Sequence, residues 1–333
     1  MLQEDIHLIT QLPQNAWFEG FVIRPNGYIL VSRLDEPVLY TFDAEDREAE
    51  PQGVHAFPDA TGLINLCPIP GRNDEYAVIS GKPDIDAMQF NNKDYTVWRV
   101  TFTSETDVTV SKLADLDDYG FSIGIIPASE HTLLVADTFL NRICSLDIAT
   151  GASSVLVEDV TMKAVDGAPF GLNRLRIAVG FVWFTNTSAG TLCRFPISID
   201  GPKVTATGPV QVICDDVEHC DGLALAADAS AAWTASMSND WLWRIDLDRD
   251  GDMNGGGGGG DVVATTTVVK ENLYSPTAVE PFYAGDRLKL YVVCNGDREE
   301  QQSWIKKTDT NPWPDFHNVT VTESVSVIVS KGE

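Results

Sequence analysis

Apolar residues in this chain fall in short runs, and turn residues separate the runs. Phe21-Val-Ile is followed by Arg-Pro-Asn-Gly and then by Tyr28-Ile-Leu-Val-Ser. Two extended runs around a Pro-Asn-Gly turn read as a β-hairpin. The runs are rich in Val, Ile, Leu, Phe and Trp, residues that suit a pleated, half-buried surface. No stretch carries the 3.6-residue periodicity of a long helix. The pattern predicts an all-β chain.

The hairpins recur, and recurrence bounds the architecture. Gly62-Leu-Ile-Asn-Leu-Cys precedes Glu75-Tyr-Ala-Val-Ile-Ser, and Gly120-Phe-Ser-Ile-Gly-Ile precedes Thr132-Leu-Leu-Val-Ala-Asp. Gly171-Leu-Asn-Arg-Leu precedes Phe181-Val-Trp-Phe-Thr-Asn, and Asp221-Gly-Leu-Ala-Leu precedes Ala231-Ala-Trp-Thr-Ala-Ser. Pro276-Thr-Ala-Val-Glu precedes Leu288-Lys-Leu-Tyr-Val-Val. Counted from Gly20, the units start 42, 58, 51, 51 and 54 residues apart. Six near-equal units predict a six-bladed β-propeller, in which each blade covers its neighbour's apolar face. It spans residues 1–333 as one domain, with blades starting near residues 19, 62, 120, 171, 221 and 275. Strands near Ile6-His-Leu-Ile and Val325-Ser-Val-Ile-Val are expected to share the last blade. That would close the ring and remove an exposed edge.

Charge narrows the partners. The 333 residues carry 49 acids and 23 bases, a net charge of −26. Like charge repels nucleic acid and anionic membranes, so neither is expected as a partner. No run approaches the ~18 apolar residues of a membrane span. The first residues lack the basic and apolar regions of a signal peptide. The chain as given is therefore expected in the cytoplasm, or outside the cell if a signal preceded it.

Several local features bear on chemistry. Asp246-Leu-Asp-Arg-Asp-Gly opens like a calcium loop, but Gly257 stands where that loop needs Glu. With the glycine run 256–260, it reads as a flexible hairpin tip over 251–260. Cys214 and Cys220 are close enough to bridge a loop, although free thiols are expected for all six cysteines. Asn186-Thr-Ser and Asn318-Val-Thr match the glycosylation triplet. The five histidines show no metal-ligand spacing. Nucleophile elbows, phosphate loops and dinucleotide fingerprints are absent.

The blade starts resemble those of the gluconolactonase and senescence-marker-protein family of six-bladed propellers. Trp17-Phe-Glu-Gly, Gly171-Leu-Asn-Arg-Leu and Cys220-Asp-Gly-Leu-Ala carry the likeness. The resemblance implies a divalent cation, usually calcium, on the axis, held here by Glu19, Asn173 and Asp221. Oxygen ligands of this kind suit a hard cation. A further Asn is common in the family at the third blade, where this chain has Ser122. A finer likeness runs to a fungal branch, through Asn15-Ala-Trp-Phe-Glu-Gly-Phe-Val-Ile-Arg-Pro-Asn-Gly and Phe181-Val-Trp-Phe-Thr-Asn-Thr-Ser-Ala-Gly. Members of that branch include hetero-Diels–Alderases of tropolone-sesquiterpenoid biosynthesis, and their reaction needs no cofactor.

The resemblance implies a polar floor of Glu19, Asn173 and Asp221 for catalysis or metal binding. His219 precedes Asp221 by two residues, which in a strand would put both on one face and allow proton transfer. Trp17, Phe18, Phe121, Phe170 and Trp241, with Ser122, Ser275 and Thr277, are expected to line the mouth for an apolar polyketide or terpene substrate. Strand capping and packing between blades are the structural readings of the same residues. Three functions stay open: a pericyclase, a calcium-dependent lactonase, and a propeller that binds without turnover.

Overall fold

A computed structural model describes residues 7–12, 16–46, 50–85, 87, 89–90, 93–165, 167–249, 262–284, 287–296 and 324–330. The first sheet is β2 (Phe18–Ile23), β3 (Tyr28–Arg33), β4 (Glu36–Asp43) and β5 (Gln52–Ala56). The second is β6 (Gly62–Pro68), β7 (Glu75–Gly81), β8 (Thr96–Phe102) and β9 (Val108–Asp115). The third is β10 (Ser122–Pro127), β11 (Thr132–Asp137), β12 (Arg142–Asp147) and β13 (Ser153–Glu158). The fourth is β14 (Leu172–Ala178), β15 (Phe181–Asn186), β16 (Thr191–Asp200) and β17 (Lys203–Ala206), with β18 (Gln211–Cys214) also on β16. The fifth is β19 (Cys220–Leu225), β20 (Ala231–Ser236), β21 (Trp241–Arg249) and β22 (Val262–Lys270). The sixth is β23 (Pro276–Ala284), β24 (Arg287–Cys294), β25 (Ser324–Ser330) and β1 (His7–Leu12).

This is an all-β propeller. Among the described residues the only helix is one 3-10 turn, Val160–Met162. The first strand of each sheet lies innermost, and these strands pack in sequence from β2 through β6, β10, β14, β19 and β23 back to β2. As expected from the sequence, β1 joins the last sheet, pairing with β25. Both β1 with β25 and β25 with β24 are parallel. The calcium-loop-like residues 250–260 fall outside the described residues.

The core is layered between neighbouring sheets. Leu30, Leu39, Leu63 and Val78 fill the space between the first two, and Trp183, Leu223 and Ile245 that between the fourth and fifth. Close approach of the inner strands needs small residues. A Cβ on Gly222 would stand 2.6 Å from the Ala278 Cα and 2.7 Å from the Thr277 carbonyl oxygen.

One irregularity repeats in every sheet. Pairing of the innermost strand with its neighbour shifts register at its start: between Phe18 and Gly20, Leu63 and Asn65, Ser122 and Gly124, Leu172 and Leu175, Cys220 and Leu223, and Pro276 and Ala278. Such bulges leave residues outside the ladder and re-aim their side chains. The skipped residues are Glu19, Ile64, Ile123, Asn173 with Arg174, Asp221 with Gly222, and Thr277.

Candidate functional site

Backbone groups freed by the bulges need partners, and polar side chains supply them. The Asn65 Nδ2 donates to the Ile123 carbonyl at 2.8 Å. The Thr185 hydroxyl donates to the Asp221 carbonyl at 3.0 Å and accepts from the Arg174 backbone N–H at 3.1 Å. The Thr277 hydroxyl donates to the Phe18 carbonyl at 2.9 Å.

Arg174 is the centre of this network. Its Cα is in the fourth sheet, and its guanidinium reaches the first, third and fifth. Nη1 donates to the Ile123 carbonyl at 2.8 Å. Nη2 donates to Glu19 Oε1 at 2.8 Å and to the Glu19 carbonyl. Asp221 Oδ1 lies 3.9 Å from Nη2. The second Glu19 oxygen accepts from the Trp17 ring N–H at 3.2 Å. Glu19, Asn173, Arg174 and Asp221 are all buried. Burial works against the Arg174 charge, but Glu19 and Asp221 outweigh it and raise its pKa.

Asp221 lies in a different electrostatic setting from an exposed carboxyl. Burial comes first and the nearby Glu19 charge second in raising its carboxyl to about 8, against the lowering effects of Arg174 and a hydrogen bond from Asn173. Both effects favour the protonated form of this carboxyl. A second pair, Arg176 with Glu280, lies farther along β14 and β23, and burial raises the Glu280 carboxyl too. Two guanidiniums thus face three carboxyls, and the charges balance when one carboxyl is protonated.

Three buried oxygens here lack hydrogen-bond partners: Ser122 Oγ, Asn173 Oδ1 and Asp221 Oδ1. All three belong to the opening residues of inner strands, at the same mouth.

Aromatic rings gather at that mouth, between the second, third and fourth sheets. Phe90 stacks on Phe121 at 4.9 Å, and Phe139 lies parallel to Phe170 at 6.3 Å. Phe121 lies 5.6 Å from Phe139 and 6.0 Å from Phe170. Phe139 and Phe170 are partly exposed, whereas Phe90 and Phe121 are buried. Asp137 fixes the group. Its carboxylate accepts backbone N–H bonds from Gly120, Phe121 and Leu140, at 3.1 to 3.3 Å, and one from Arg142 Nε.

Two expected positions, Phe18 and His219, need correction. Phe18 is not at the rim: its ring is fully buried with Ile29, Val31 and Val293, between the first and sixth sheets. Its backbone N–H instead donates to Asn295 Oδ1 at 2.7 Å. His219 does not share a face with Asp221. It precedes the strand at φ 54° and is exposed, so strand alternation does not reach it. Ser275 also precedes its strand, at φ 56°, with its N–H donated to Asp240 Oδ1. Trp241 is half-buried and meets Trp243 edge-on at 5.5 Å. Asn186 is closed to modification, since its buried amide donates to the Thr161 and Lys163 carbonyls. Asn318 falls outside the described residues. All six cysteines are free thiols. No helix among the described residues is long and apolar enough to cross a membrane.

Sequence reasoning brought Glu19, Asn173 and Asp221 together and missed Arg174. The available signal was Leu172-Asn-Arg-Leu-Arg-Ile-Ala itself. Two arginines in an inner strand require buried partners. The arginine also decides how far the three residues fit an axial divalent ion. A cation between Glu19 and Asp221 would lie against the Arg174 guanidinium, so with Arg174 seated there the residues do not fit one.

No protein-family model matches the chain, and no curated protein does. Solved structures resemble it at low identity. Regucalcin from Agrobacterium tumefaciens, titled a calcium-binding protein, aligns at 15% identity and TM-score 0.55, over 83% of this chain and 81% of that one. Virginiamycin B lyase from Staphylococcus aureus, solved in an inactive form with quinupristin, aligns at 14% identity and TM-score 0.50, over 86% and 80%. A nidogen/laminin complex aligns at 15% identity and TM-score 0.54, over 79% and 84%. These likenesses establish a propeller fold, shared by proteins of quite different roles.

Proposed function

We propose that each of the six sheets is one blade, and that the chain is a cyclase whose mouth dehydrates a hydroxybenzylic alcohol and guides the product into a [4+2] addition. The reading rests on one observation: the carboxyl of Asp221 lies beside the Glu19–Arg174 ion pair at a mouth walled by Phe90, Phe121, Phe139 and Phe170. The fungal-branch motifs of the first and fourth blades favour the same reading. A metal-dependent lactonase would need a cation where the guanidinium lies.

In the reaction, protonated Asp221 donates its proton to the leaving hydroxyl as the benzylic C–O bond breaks. The ring hydroxyl then returns a proton to the same carboxylate. Water leaves, an o-quinone methide remains, and Asp221 is restored. Arg174 stabilises the transient Asp221 carboxylate across 3.9 Å. The aromatic wall then holds the diene against an alkene such as humulene, lowering the barrier by reduced entropy loss. One C–O and one C–C bond form, and no redox partner is needed.

The test supplies purified protein with a hydroxybenzylic alcohol and humulene. One stereoisomer of the adduct should form well above the protein-free rate, and Asp221→Asn should lose most of that gain. A racemic adduct at the background rate would sink the proposal.

A further inference from the structure

We propose that the outer edge of β22 is the contact through which two copies of this chain pair as a symmetric dimer. The inference is independent of the proposed reaction.

The strand itself comes first. An edge strand presents a row of open backbone groups, and proteins blunt such edges with charge, proline or shortness. β22 has none of these protections along its middle. It reads Val-Val-Ala-Thr-Thr-Thr-Val-Val-Lys from Val262 to Lys270, and its one charge stands at the end. Among the described residues it closes the fifth sheet and pairs with β21 alone. The outer strands of the other sheets are shorter, and β9, the next in length, carries Lys112 and Asp115. Val263 is 52% exposed, and Thr265 and Thr267 are exposed on the same face. On the other face the Thr266 hydroxyl donates to Asp216 at 2.7 Å, which ties the strand to the loop between β18 and β19.

The sequence of β22 identifies the partner. A two-fold axis through Thr266 sets an antiparallel copy so that Thr266 meets itself, Thr265 meets Thr267 and Ala264 meets Val268. Threonine then faces threonine and aliphatic faces aliphatic, which are favourable cross-strand pairs. A contact of this kind is isologous, so it closes as a dimer and does not propagate. Charge agrees with a second copy. At −26 per chain, two copies repel across most of their surfaces. The uncharged run from Val262 to Val269 lets them meet without setting like charges opposite one another.

The experiment measures association by sedimentation velocity up to about 100 µM protein, in 0.1 M and 0.5 M salt. Wild type should reach twice the mass of one chain, and more readily in high salt, which screens the net repulsion. Thr265→Lys/Thr267→Lys sets lysine opposite lysine twice and should weaken association roughly tenfold or more. Thr265→Glu/Thr267→Glu should do the same. Mixing the two variants should restore a dimer, and that dimer should weaken as salt rises. A wild type that stays monomeric at about 100 µM in 0.5 M salt would overturn the inference. So would a wild-type dimer that both variants retain with unchanged circular dichroism. Amide exchange on wild type needs no variant: protection across Ala264–Val268 should grow with protein concentration, and constant protection would also overturn the contact.

Discussion

Arg174 and Glu19 are 155 positions apart in the chain, and their guanidinium and carboxylate meet at 2.8 Å. The contact runs from the fourth sheet to the first. Trp17 completes it by donating its ring N–H to the other Glu19 oxygen, so the carboxylate is held on both sides. Asp221 is the carboxyl to which the proposed reaction assigns the proton transfer.

Asp221→Asn tests that assignment through pH. Burial and the Glu19 charge raise the wild-type carboxyl to about 8, so general-acid activity should hold below that pH and fall above it. The Asn variant should lose roughly 10²–10⁴-fold in kcat/KM and show no such limb. Stability follows the same group. Its folded pKa lies above the ordinary 3.8, so its contribution is complete below pH 3.8 and is lost as pH rises through about 8. Stability should decline across that window by at most about 1.4 kcal/mol per pH unit. Melting curves of Asp221→Asn should be flatter over the same range, and equal slopes would count against a raised Asp221.

Glu19→Gln should act on Asp221 from a distance. It removes the negative charge that helps raise Asp221 and releases Arg174 toward it. The alkaline limb of kcat/KM should then move to lower pH. The variant should also lose roughly 1–3 kcal/mol in denaturant unfolding, because a charged hydrogen bond is gone.

The aromatic wall divides by burial. Phe170 is partly exposed, so Phe170→Ala should raise KM while leaving most of the stability intact. Phe121 is buried at 1% exposure, so Phe121→Ala should cost about 3–5 kcal/mol through the cavity it leaves. Paired kinetics and unfolding curves would separate the two effects.

Gly222→Ala probes the closeness of the fifth and sixth sheets. Its Cβ would fall within 3 Å of Ala278 and Thr277 backbone atoms, which cannot swing aside as a side chain would. Overpacking of about 1–3 kcal/mol is expected. Because Asp221 is the preceding residue, activity should fall as well.

Much of the fold was legible because it is written locally. Hairpin turns such as Arg24-Pro-Asn-Gly and alternating strands such as Tyr28–Arg33 depend on near neighbours. The repeat of about fifty residues follows from counting those units. Glu19 and Asp221 were brought together through the resemblance of the blade starts to a known family. Arg174 was not, because strict alternation puts adjacent residues on opposite faces. Only the slip between Leu172 and Leu175 takes both Asn173 and Arg174 out of the ladder. Phe18 and His219 were misplaced for the same kind of reason. One stands at the edge of a bulge, paired with Arg33, and the other just before a strand, where a period of two does not apply.

The sequence by itself determined an all-β chain of repeating hairpins, the joining of its first strand to its last sheet, and the ring of polar residues at the strand starts. Side-chain alternation and turn chemistry act over a few residues, so one linear pattern suffices to read them. Only the tertiary structure decided which charge lies between Glu19 and Asp221, and that burial beside Glu19 raises the Asp221 carboxyl. Those outcomes depend on distances across the axis and on shared burial, set jointly by the fourth blade and by others far away in the chain.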